Sequence, residues 1–261
     1  MNAHGSRRPG RQQRLQEIVR LLRSGVGRVE DLAAAVRVSE STIRRDLASL
    51  EEDGQIARTY GGALPSGVFH EARLRERMSI EMDAKASIGA TAAAWVQDGS
   101  TVFVDAGSTC AQLVEHLRDR RELTVLTRGL EIAIALADSS VRVIVVGGEV
   151  SPASHGLTGA MTHFVLDRFS VDIAFLGCDA VHPHRGVGEP TIEEAATKEA
   201  AARSARRTVV LAHEAKLTTS GVPAWAPLPT GWILVTDAGP EHLGVYHDAG
   251  VDVVSVTSAR T

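Results

Sequence analysis

Cysteine and aromatic residues are scarce in this sequence, and it has no long apolar run. Only Cys110 and Cys178 occur among the 261 residues, too few for a disulfide framework or a cysteine metal site, so we predict two buried thiols. Aromatic residues make up 4% of the chain, so we expect an aliphatic core. No apolar run approaches the roughly 18 residues of a membrane span. The arginine-rich N-terminus has no apolar segment behind it, and we therefore expect a cytoplasmic protein with no membrane partner.

Metal-ligating residues do not cluster along the chain. The 10 histidines are scattered, and His182 and His184 form the only close pair, with no cysteine or further ligand beside them. We therefore predict neither a metal ion nor a cofactor, and we assign no catalytic residue.

Residues 38–50 have the pattern of a helix with one buried face. Ser39 is a good N-cap, because its hydroxyl accepts a hydrogen bond from a free amide of the first turn, an interaction worth about 1 kcal/mol. Ile43, Leu47 and Leu50 recur at helical spacing and predict the buried face. The opposite face carries hydroxyl and guanidinium groups that suit phosphates and base edges, namely Ser41, Thr42, Arg44 and Arg45. Taken alone, this helix fits an ordinary solvated surface equally well.

Two shorter helical patterns precede this segment, and a strand pattern follows it. Helices are predicted over 11–23 and about 29–36, and the stretch 55–64 predicts two short strands around a Gly61-Gly62 turn. Three short helices in this order form a helix-turn-helix, and the strands add a small wing that places Arg58 and Tyr60 near the backbone of a duplex. The predicted DNA-binding residues are Ser39, Ser41, Thr42, Arg44, Arg45, Arg58 and Tyr60.

The charge of the chain is divided unevenly. Residues 1–64 contain 11 Lys and Arg against 8 Asp and Glu, a net of +3, whereas residues 65–261 contain 17 against 24, a net of −7. A segment that binds DNA must neutralise phosphates, so the basic N-terminal part has the suitable sign. We expect a winged helix-turn-helix domain over 1–64, a linker over 65–84 and a larger α/β domain over 85–261.

From residue 100 onward, apolar β-branched runs alternate with helical patterns. Strands are predicted at 101–104, 123–126, 141–146, 171–176, 208–211, 233–235 and 251–256. Helices are predicted near 109–119, 128–138, 158–168, 191–206 and 240–249. A further helical stretch over 69–97 contains a charged run that we interpret as a solvated face or an interdomain contact. The alternation predicts an α/β fold with a mostly parallel sheet.

Polar residues stand at the end of nearly every predicted strand, where sheets of this kind bind ligands. The first strand ends in Asp105-Ala106-Gly107-Ser108-Thr109 and opens into a helix, so its amides and hydroxyls suit a phosphate or carboxylate. Later strand ends and the longest helix contribute Thr127, Arg128, Gly148, Asp179, Glu189, Lys198 and Lys216. Each motif alone is a weak signal, and Gly-Ser-Thr after a strand is more often a helix cap, but together the motifs favour a small anionic ligand.

Motifs along nearly the whole chain resemble those of a known family. The run from Val38 to Leu47, followed by Arg58-Thr59-Tyr60-Gly61-Gly62-Ala63, resembles the winged helix-turn-helix of bacterial DeoR-family transcriptional regulators. The resemblance continues through Lys85, the 105–109 loop, Gly147-Gly148, Gly159, Gly177-Cys178-Asp179, Lys198 and Lys216. It implies an effector domain similar to ribose-5-phosphate isomerase. In that domain Asp105, Gly107, Ser108 and Thr109 would surround a phosphate, and Asp179, Glu189, Lys198 and Lys216 would line the rest of the pocket.

The resemblance implies a DNA-binding regulator of carbohydrate metabolism genes, most often a repressor, that a phosphorylated sugar or related metabolite controls. Its expected partners are a double-stranded DNA operator, the small anionic effector, and further copies of the chain in a dimer or tetramer. One alternative is a sugar-phosphate isomerase-like enzyme fused to a DNA-binding domain, with Asp179 as an acid or base. Another is an activator, or a DNA-binding architectural protein whose sensor domain has lost its ligand. Two residues depart from the family pattern, because Arg128 stands where Asn is usual and His213 where Asp is usual. These departures favour a more anionic effector or an atypical one.

Overall fold

The computed structural model describes residues 11–23, 26–52, 56–59, 62–65 and 74–256. The chain divides into two compact units, residues 1–70 and 71–261, and each is described by itself. Within the described ranges, no helix combines the length and the apolar character that crossing a membrane requires.

The first unit is the predicted helix-turn-helix with a two-stranded wing. Its elements are α1 (Arg11–Arg23), α2 (Val29–Val36), α3 (Glu40–Glu52), β1 (Ile56–Thr59) and β2 (Gly62–Pro65). β1 and β2 pair in antiparallel fashion, with Arg58 opposite Ala63. The predicted buried face of α3, formed by Ile43, Leu47 and Leu50, is at most 1% exposed and packs in one cluster with apolar side chains of α1, α2 and the wing.

Two contacts fix the orientation of α3. Arg37 follows α2 in the left-handed conformation, with φ of 56°, and the Val38 N–H donates to the Ala33 carbonyl at 3.1 Å, which closes the turn before α3. Arg14 of α1 donates two hydrogen bonds to Asp46 of α3, at 2.6 and 3.1 Å. Because Asp46 is buried, this charge-assisted pair ties the direction of α3 to that of α1.

The second unit is an α/β domain around one seven-stranded parallel sheet, as predicted. In spatial order its strands are β14 (Asp252–Ser255), β13 (Ile233–Thr236), β11 (Ala205–Leu211), β8 (Val171–Leu176), β3 (Thr101–Val104), β4 (Thr124–Thr127) and β5 (Arg142–Val145). All seven strands predicted from the apolar runs lie in this sheet, and every neighbouring pair is parallel. The helices are α4 (Leu74–Met78), α5 (Met82–Ala93), α6 (Ser108–Glu115), α7 (Leu130–Leu136), α8 (Ala160–Leu166), α9 (Ile192–Ser204), α10 (Ala215–Thr218) and α11 (Pro240–Asp248).

Helices cover both faces of this sheet, which explains why its central strands β3, β4 and β8 are largely apolar and buried, whereas the edge strands β5 and β14 have exposed ends. Val102 and Val104 of β3 pack in a cluster with α5, α6 and α7, whereas Phe103 packs in a second cluster with α8 and α9. All three β3 side chains are fully buried, and burial of an apolar side chain of this size contributes about 1.5–3 kcal/mol. Because this packing fixes the position of β3, it also fixes Asp105, the next residue, at the carboxyl edge of the sheet.

The structure adds elements that the sequence patterns do not predict, and it corrects several boundaries. A small antiparallel sheet has the order β12 (Ala224–Ala226), β10 (Gly186–Glu189), β9 (Ala180–His182), and β6 (Glu149–Val150) pairs with β7 (Leu157–Thr158). Because β7 occupies 157–158, α8 starts later than the predicted helix, and because β11 begins at Ala205, α9 ends before 206. The single helical stretch predicted over 69–97 is two helices, separated near Glu81, which has φ of 51°.

The second unit begins before the expected domain start at residue 85. Helix α4 lies within the stretch 65–84 that the sequence predicts to be a linker, and its Leu74 is buried. The Leu74 N–H donates to the carbonyl of Ala153 at 2.9 Å. This part of the expected linker is therefore a helix of the second unit.

Candidate DNA-reading surface and effector site

The outer face of α3 presents the polar side chains that the sequence singles out. Ser39, Ser41, Arg44 and Arg45 are exposed and Thr42 is half-buried. Ser39 Oγ lies 2.9 Å from both Ser41 Oγ and Thr42 Oγ1, and it accepts the Thr42 N–H at 3.3 Å. The predicted N-cap is thus confirmed, and three hydroxyls form one cluster at the start of α3.

Arg44 takes part in an exposed ion pair on the surface of α3. Its Nη2 lies 3.2 Å from Oε2 of Glu40, one helical turn earlier. Exposed pairs of this kind contribute little to stability, because both groups are well solvated when apart. Arg44 can therefore leave Glu40 and bind a phosphate or a base edge at little cost in free energy. The side chain of Arg58 and the whole of Tyr60, both predicted to contact DNA, lie outside the described residues.

In the second unit, Asp105 is the centre of a buried charge network at the end of β3. Its Oδ1 accepts a 2.5 Å hydrogen bond from Arg128 Nε, and its Oδ2 lies 3.0 Å from Lys198 Nζ. The Gly177 N–H donates to Oδ2 at 3.1 Å, which links the end of β8 to β3. Burial raises the pKa of the Asp105 carboxyl, but the charges of Arg128 and Lys198 outweigh this and hold the pKa below its usual value. Asp105 is therefore a charged carboxylate without exposed surface.

Lys198 of α9 connects two carboxylates. Its Nζ lies 2.5 Å from Glu189 Oε1 and 3.0 Å from Asp105 Oδ2, and it donates to the Gly177 carbonyl at 2.9 Å. Burial lowers the pKa of Lys198, but the charges of Asp105 and Glu189 outweigh it and raise the pKa above its usual value. Burial raises the pKa of Glu189 to about 8. Glu189 is therefore the carboxyl of this network whose charge changes closest to neutral pH.

Arg128, just after β4, is buried between Asp105 and Glu194. Its Nη1 lies 3.5 Å from Glu194 Oε1, and the Ser154 hydroxyl donates to the same oxygen at 2.5 Å. Among the described residues, Arg128 Nη1 and Glu194 Oε2 are buried without a hydrogen-bond partner. With 1% of its surface exposed and two carboxylates beside it, Arg128 supplies no net positive charge to the site.

Glu194 is not among the residues predicted from the sequence, although a local pattern marks it. Thr191-Ile192-Glu193-Glu194 has the spacing of a capping box, and Thr191 Oγ1 accepts the Glu194 N–H at 3.2 Å. In a full capping box the glutamate side chain returns to the N-cap amide. Here the side chain turns to Arg128 and Ser154 instead, and only the contact between the start of α9 and the residue after β4 reveals that role.

Asp179, after β8, forms a second charged group with residues from two distant segments. Its Oδ1 lies 2.9 Å from Lys216 Nζ and 3.4 Å from Arg77 Nη1. Burial raises the pKa of Asp179, but the charges of Lys216 and Arg77 hold it below its usual value. The sequence patterns do not predict Arg77 at this site, since it belongs to the charged run interpreted as a solvated face or an interdomain contact.

Two further bases lie near Asp179. Lys85 is buried, and its Nζ donates to the carbonyls of Arg77 and Ile80 at 2.6 Å each. Burial, with the charges of Lys216 and Arg77, lowers the pKa of Lys85 to about 8. Burial, with the charges of Lys216 and Lys85, lowers the pKa of His213 to about 4, so this imidazole is neutral at pH 7.

The loop 105–109 leads directly into α6. Gly107 has φ of 121°, in the region that favours glycine, and a Cβ atom there would meet nothing within 4 Å. Its backbone conformation, rather than lack of space, therefore requires glycine. Ser108 and Thr109 are buried in the first turn of α6, which has no side-chain cap. The first amides of α6 thus remain available to an anion.

Thr127 and Gly148, both predicted to bind the effector, have structural contacts. Thr127 Oγ1 accepts the Gly129 N–H at 3.0 Å and so shapes the turn before α7. A Cβ atom at Gly148 would lie 2.3 Å from the Thr158 carbonyl oxygen and 2.5 Å from Thr162 Oγ1. Glycine is therefore needed for the close approach of the chain before β6 to β7 and α8.

The thiols and histidines carry weaker signals. Cys110 is buried and Cys178 is half-buried, and burial raises the pKa of Cys178 to about 12, so neither is a reactive thiolate at neutral pH. Within the described ranges, one mixed group, Glu214, Glu241 and His242, brings its ligand atoms within 4.8 Å of one another. His242 Nε2 lies 3.2 Å from Glu214 Oε1, a distance that a hydrogen bond between the two explains.

Comparisons with known proteins cover both units. Residues 12–65 match the DeoR-like helix-turn-helix domain, and residues 80–238 match the DeoR C-terminal sensor domain. The chain is 31% identical over 235 residues to the transcriptional repressor AccR of Agrobacterium fabrum, covering 87% of this chain and 90% of that protein. It is 29% identical over 263 residues to the putative aga operon transcriptional repressor of Escherichia coli O157:H7, covering 98% of both.

A third relative and one solved structure extend the comparison. The uncharacterized regulator FruR of Bacillus subtilis is 30% identical over 214 residues, covering 82% of this chain and 85% of that protein. Ribose 5-phosphate isomerase A from Methanocaldococcus jannaschii matches with a TM-score of 0.39 and 20% identity, over 52% of this chain and 54% of that one, a likeness too low to bear on function. On the matches to both domains and to full-length relatives, the chain belongs to the DeoR family of transcriptional regulators.

Proposed function

We propose that the chain represses genes of carbohydrate metabolism by binding a double-stranded DNA operator through α3, and that a phosphorylated sugar or similar small anion releases it. The observation that carries this proposal is the buried network of Asp105, Lys198 and Glu189 near the uncapped N-terminus of α6. The network and the N-terminus of α6 lie at the carboxyl edge of a parallel sheet, which is where such sheets bind ligands. A regulator of this kind acts on the chromosome, so we place it in the cytoplasm.

The polar groups at this edge fit the two parts of a phosphorylated sugar. The first amides of α6, with the hydroxyls of Ser108 and Thr109, suit a phosphate because a helix N-terminus carries partial positive charge. The carboxyl of Glu189 can exchange hydrogen bonds with sugar hydroxyls in either protonation state. Arg128 Nη1 and Glu194 Oε2, without partners among the described residues, are a donor and an acceptor that one more hydroxyl would satisfy together.

We infer repression from the names of the relatives, and oligomeric assembly from the two-fold symmetry of the DNA sites that such domains usually read. Two of the relatives are named as transcriptional repressors, and we extend that role to this chain. A helix-turn-helix protein usually reads two half-sites related by a two-fold axis. We therefore infer a homo-oligomer, a dimer or a tetramer, in which two copies of α3 face two half-sites.

The enzyme alternative has little support. Both domain matches are to transcriptional regulators. Asp179, the acid or base that an isomerase-like reaction would need, is held by Lys216 and Arg77, and its pKa lies below the usual carboxyl value. Acid–base catalysis is most efficient when the pKa lies near the working pH, so this environment favours a binding role.

DNA binding is tested by removing Arg44 and Arg45 together. A well-placed bidentate contact contributes about 1–3 kcal/mol, so the double Ala variant should bind a labelled fragment of its own promoter at least about 30-fold more weakly. The matched control removes two exposed arginines from the second unit, Arg118→Ala with Arg142→Ala, and should bind as wild type does. Unchanged affinity of the α3 variant at 150 mM salt would overturn the assignment of this helix.

Effector binding is tested with a thermal-shift panel of ribose 5-phosphate, glucose 6-phosphate, fructose 1-phosphate and glycerol 3-phosphate, with inorganic phosphate as the control. A ligand present at 100 times its Kd stabilises the folded state by about 2.7 kcal/mol. For a domain of this size that corresponds to a rise in Tm of about 5–11 °C. The same compound should weaken promoter binding. If none of the four sugar phosphates raises Tm or weakens DNA binding, the effector class is wrong.

A further inference from the structure

Helix α4 is the first described element of the second unit along the chain. β2 of the first unit ends at Pro65 and α4 begins at Leu74, so eight residues of chain separate them. With only five residues, α4 is far shorter than the roughly 12 residues that an isolated helix needs to be even marginally stable. Its position and its helical form therefore depend on the contacts that hold it to the rest of the second unit.

Polar contacts at three points along α4 hold it in the part of the chain that the structure describes. At its start, the Leu74 N–H donates to the Ala153 carbonyl at 2.9 Å. At its end, Lys85 Nζ donates to the carbonyls of Arg77 and Ile80 at 2.6 Å each, which satisfies two oxygens at and beyond the last turn. In between, Arg77 Nη1 lies 3.4 Å from Asp179 Oδ1, with 14% of the Arg77 side chain exposed.

Two of these attachments lead to the predicted effector-binding residues. The carboxylate oxygen that Arg77 faces also lies 2.9 Å from Lys216 Nζ, so Arg77 and Lys216 share Asp179. Ala153 precedes Ser154, whose hydroxyl donates to Glu194 at 2.5 Å, and Glu194 in turn lies beside Arg128. A ligand that moves the side chain of Asp179, or that moves Arg128 and the Glu194 and Ser154 side chains beside it, thus alters a contact that holds α4.

We propose that Arg77 is a positioning residue that couples the effector site to DNA binding through α4. The proposal rests on the proposed effector function, and it adds the contacts through which a bound effector would act on DNA binding. An anion that binds Lys216 also lies beside Arg77, because both cations contact the same oxygen of Asp179. It competes with Asp179 for Arg77, loosens that ion pair, and shifts the population of α4 away from the arrangement that supports DNA binding. Ligands of this kind commonly change the affinity at a second site by about 5–150-fold.

The experiment compares Arg77→Gln with Arg75→Gln, a matched control that removes the same charge from the same helix at an exposed position. Promoter affinity is measured for each variant with and without the sugar phosphate that acts on wild type. Arg77→Gln should bind DNA at least about fivefold more weakly without ligand, and the ligand should no longer change its affinity. Arg75→Gln should keep both the affinity and the response. Arg77→Lys retains a positive charge and should recover part of the response, and it replaces Arg77→Gln if that variant does not fold.

A ligand-free double-mutant cycle separates failure of this inference from failure of the proposed effector. Arg77→Gln, Asp179→Asn and the double variant are compared for promoter affinity, with thermal melting as a check on folding. If the pair acts as one unit, the double variant should bind DNA no more weakly than the weaker single variant. This result supports the coupling even if no sugar phosphate binds. Additive effects in the cycle, or an Arg77→Gln variant that behaves as Arg75→Gln does, would overturn the proposal.

Discussion

Replacing Arg128 with methionine tests whether the charges beneath the effector site hold one another in place. Methionine has a similar length and no charge, so Asp105 would keep Lys198 and the Gly177 amide, and Glu194 would keep, among the described residues, the Ser154 hydroxyl alone. Both carboxylates are at most 1% exposed, so water does not replace the lost guanidinium. Removing one partner of a buried ion pair typically costs 3–5 kcal/mol, because the remaining charge stays out of water.

Thermal melting at pH 7 gives the readout for Arg128→Met. In a domain of this size, 1 kcal/mol changes Tm by about 2–4 °C, so a loss of 3–5 kcal/mol lowers Tm by about 6–20 °C. Arg142→Met is the matched control, because Arg142 is an exposed arginine of β5, where the same change should stay within about 0.5 kcal/mol of wild type.

The pH dependence of this difference provides a second arm. In wild type the pKa of Asp105 is lowered, so its charge contributes stability above the ordinary carboxyl pKa and loses that contribution as the pH falls. The penalty of Arg128→Met should therefore be largest near neutral pH and should shrink below about pH 4. If the variant melts within 3 °C of wild type at pH 7, the reasoning that Arg128 neutralises Asp105 and Glu194 is refuted.

Two further predictions concern α3 and His213. Asp46→Asn removes the charged partner of Arg14 and should lower the stability of the first unit by about 1.5–3 kcal/mol in urea unfolding, while Glu17→Gln, in an exposed pair, should leave it unchanged. The pKa of His213 is about 4, against about 6.5 in the unfolded chain, so the unfolded chain takes up this proton first as the pH falls. Wild type should lose about 3 kcal/mol from this group between pH 6.5 and 4, and His213→Gln should lack that loss. The same pH dependence in both proteins would contradict the assignment.

Local patterns were sufficient for the main elements of both units. The central strands of the large sheet are apolar runs buried on both faces, so the pattern along β3 or β8 can be recognised without knowledge of the neighbouring strands. The face of α3 formed by Ile43, Leu47 and Leu50 is similarly local, because helical spacing alone determines it. β6 and β7 have two residues each, which is too short for any periodicity to show.

The contacts of the effector site were less predictable, because they join residues far apart in the chain. Arg77 and Asp179 are 102 residues apart, and nothing near either residue identifies its partner. Arg128 and Glu194 are brought together only where the end of β4 meets the start of α9. Residue type and position at a strand end therefore predict which polar side chains lie at this edge of the sheet, whereas ion pairing depends on the packed arrangement of several elements.

Arg128 stands where the family usually has Asn, but it changes the net charge of the site less than an added arginine would suggest. The guanidinium lies between Asp105 and Glu194, and each of these carboxylates is as buried as Arg128 itself. The electric fields of opposite charges this close together largely cancel at the position of a bound ligand. Arg128 therefore acts mainly on the internal order of the site, and a more anionic effector does not follow from its presence.

The departure at residue 213 acts on charge more directly. His213 is neutral at pH 7, so where the family resemblance places an acid, this chain has no negative charge. Lys216 and Arg77 then share the single carboxylate of Asp179, with Lys85 close enough to lower the pKa of His213 further. The excess positive charge of the site thus lies beside Asp179. If the proposed effector carries an extra anionic group, we expect that group beside Lys216 and Arg77, in competition with the ion pair that anchors α4.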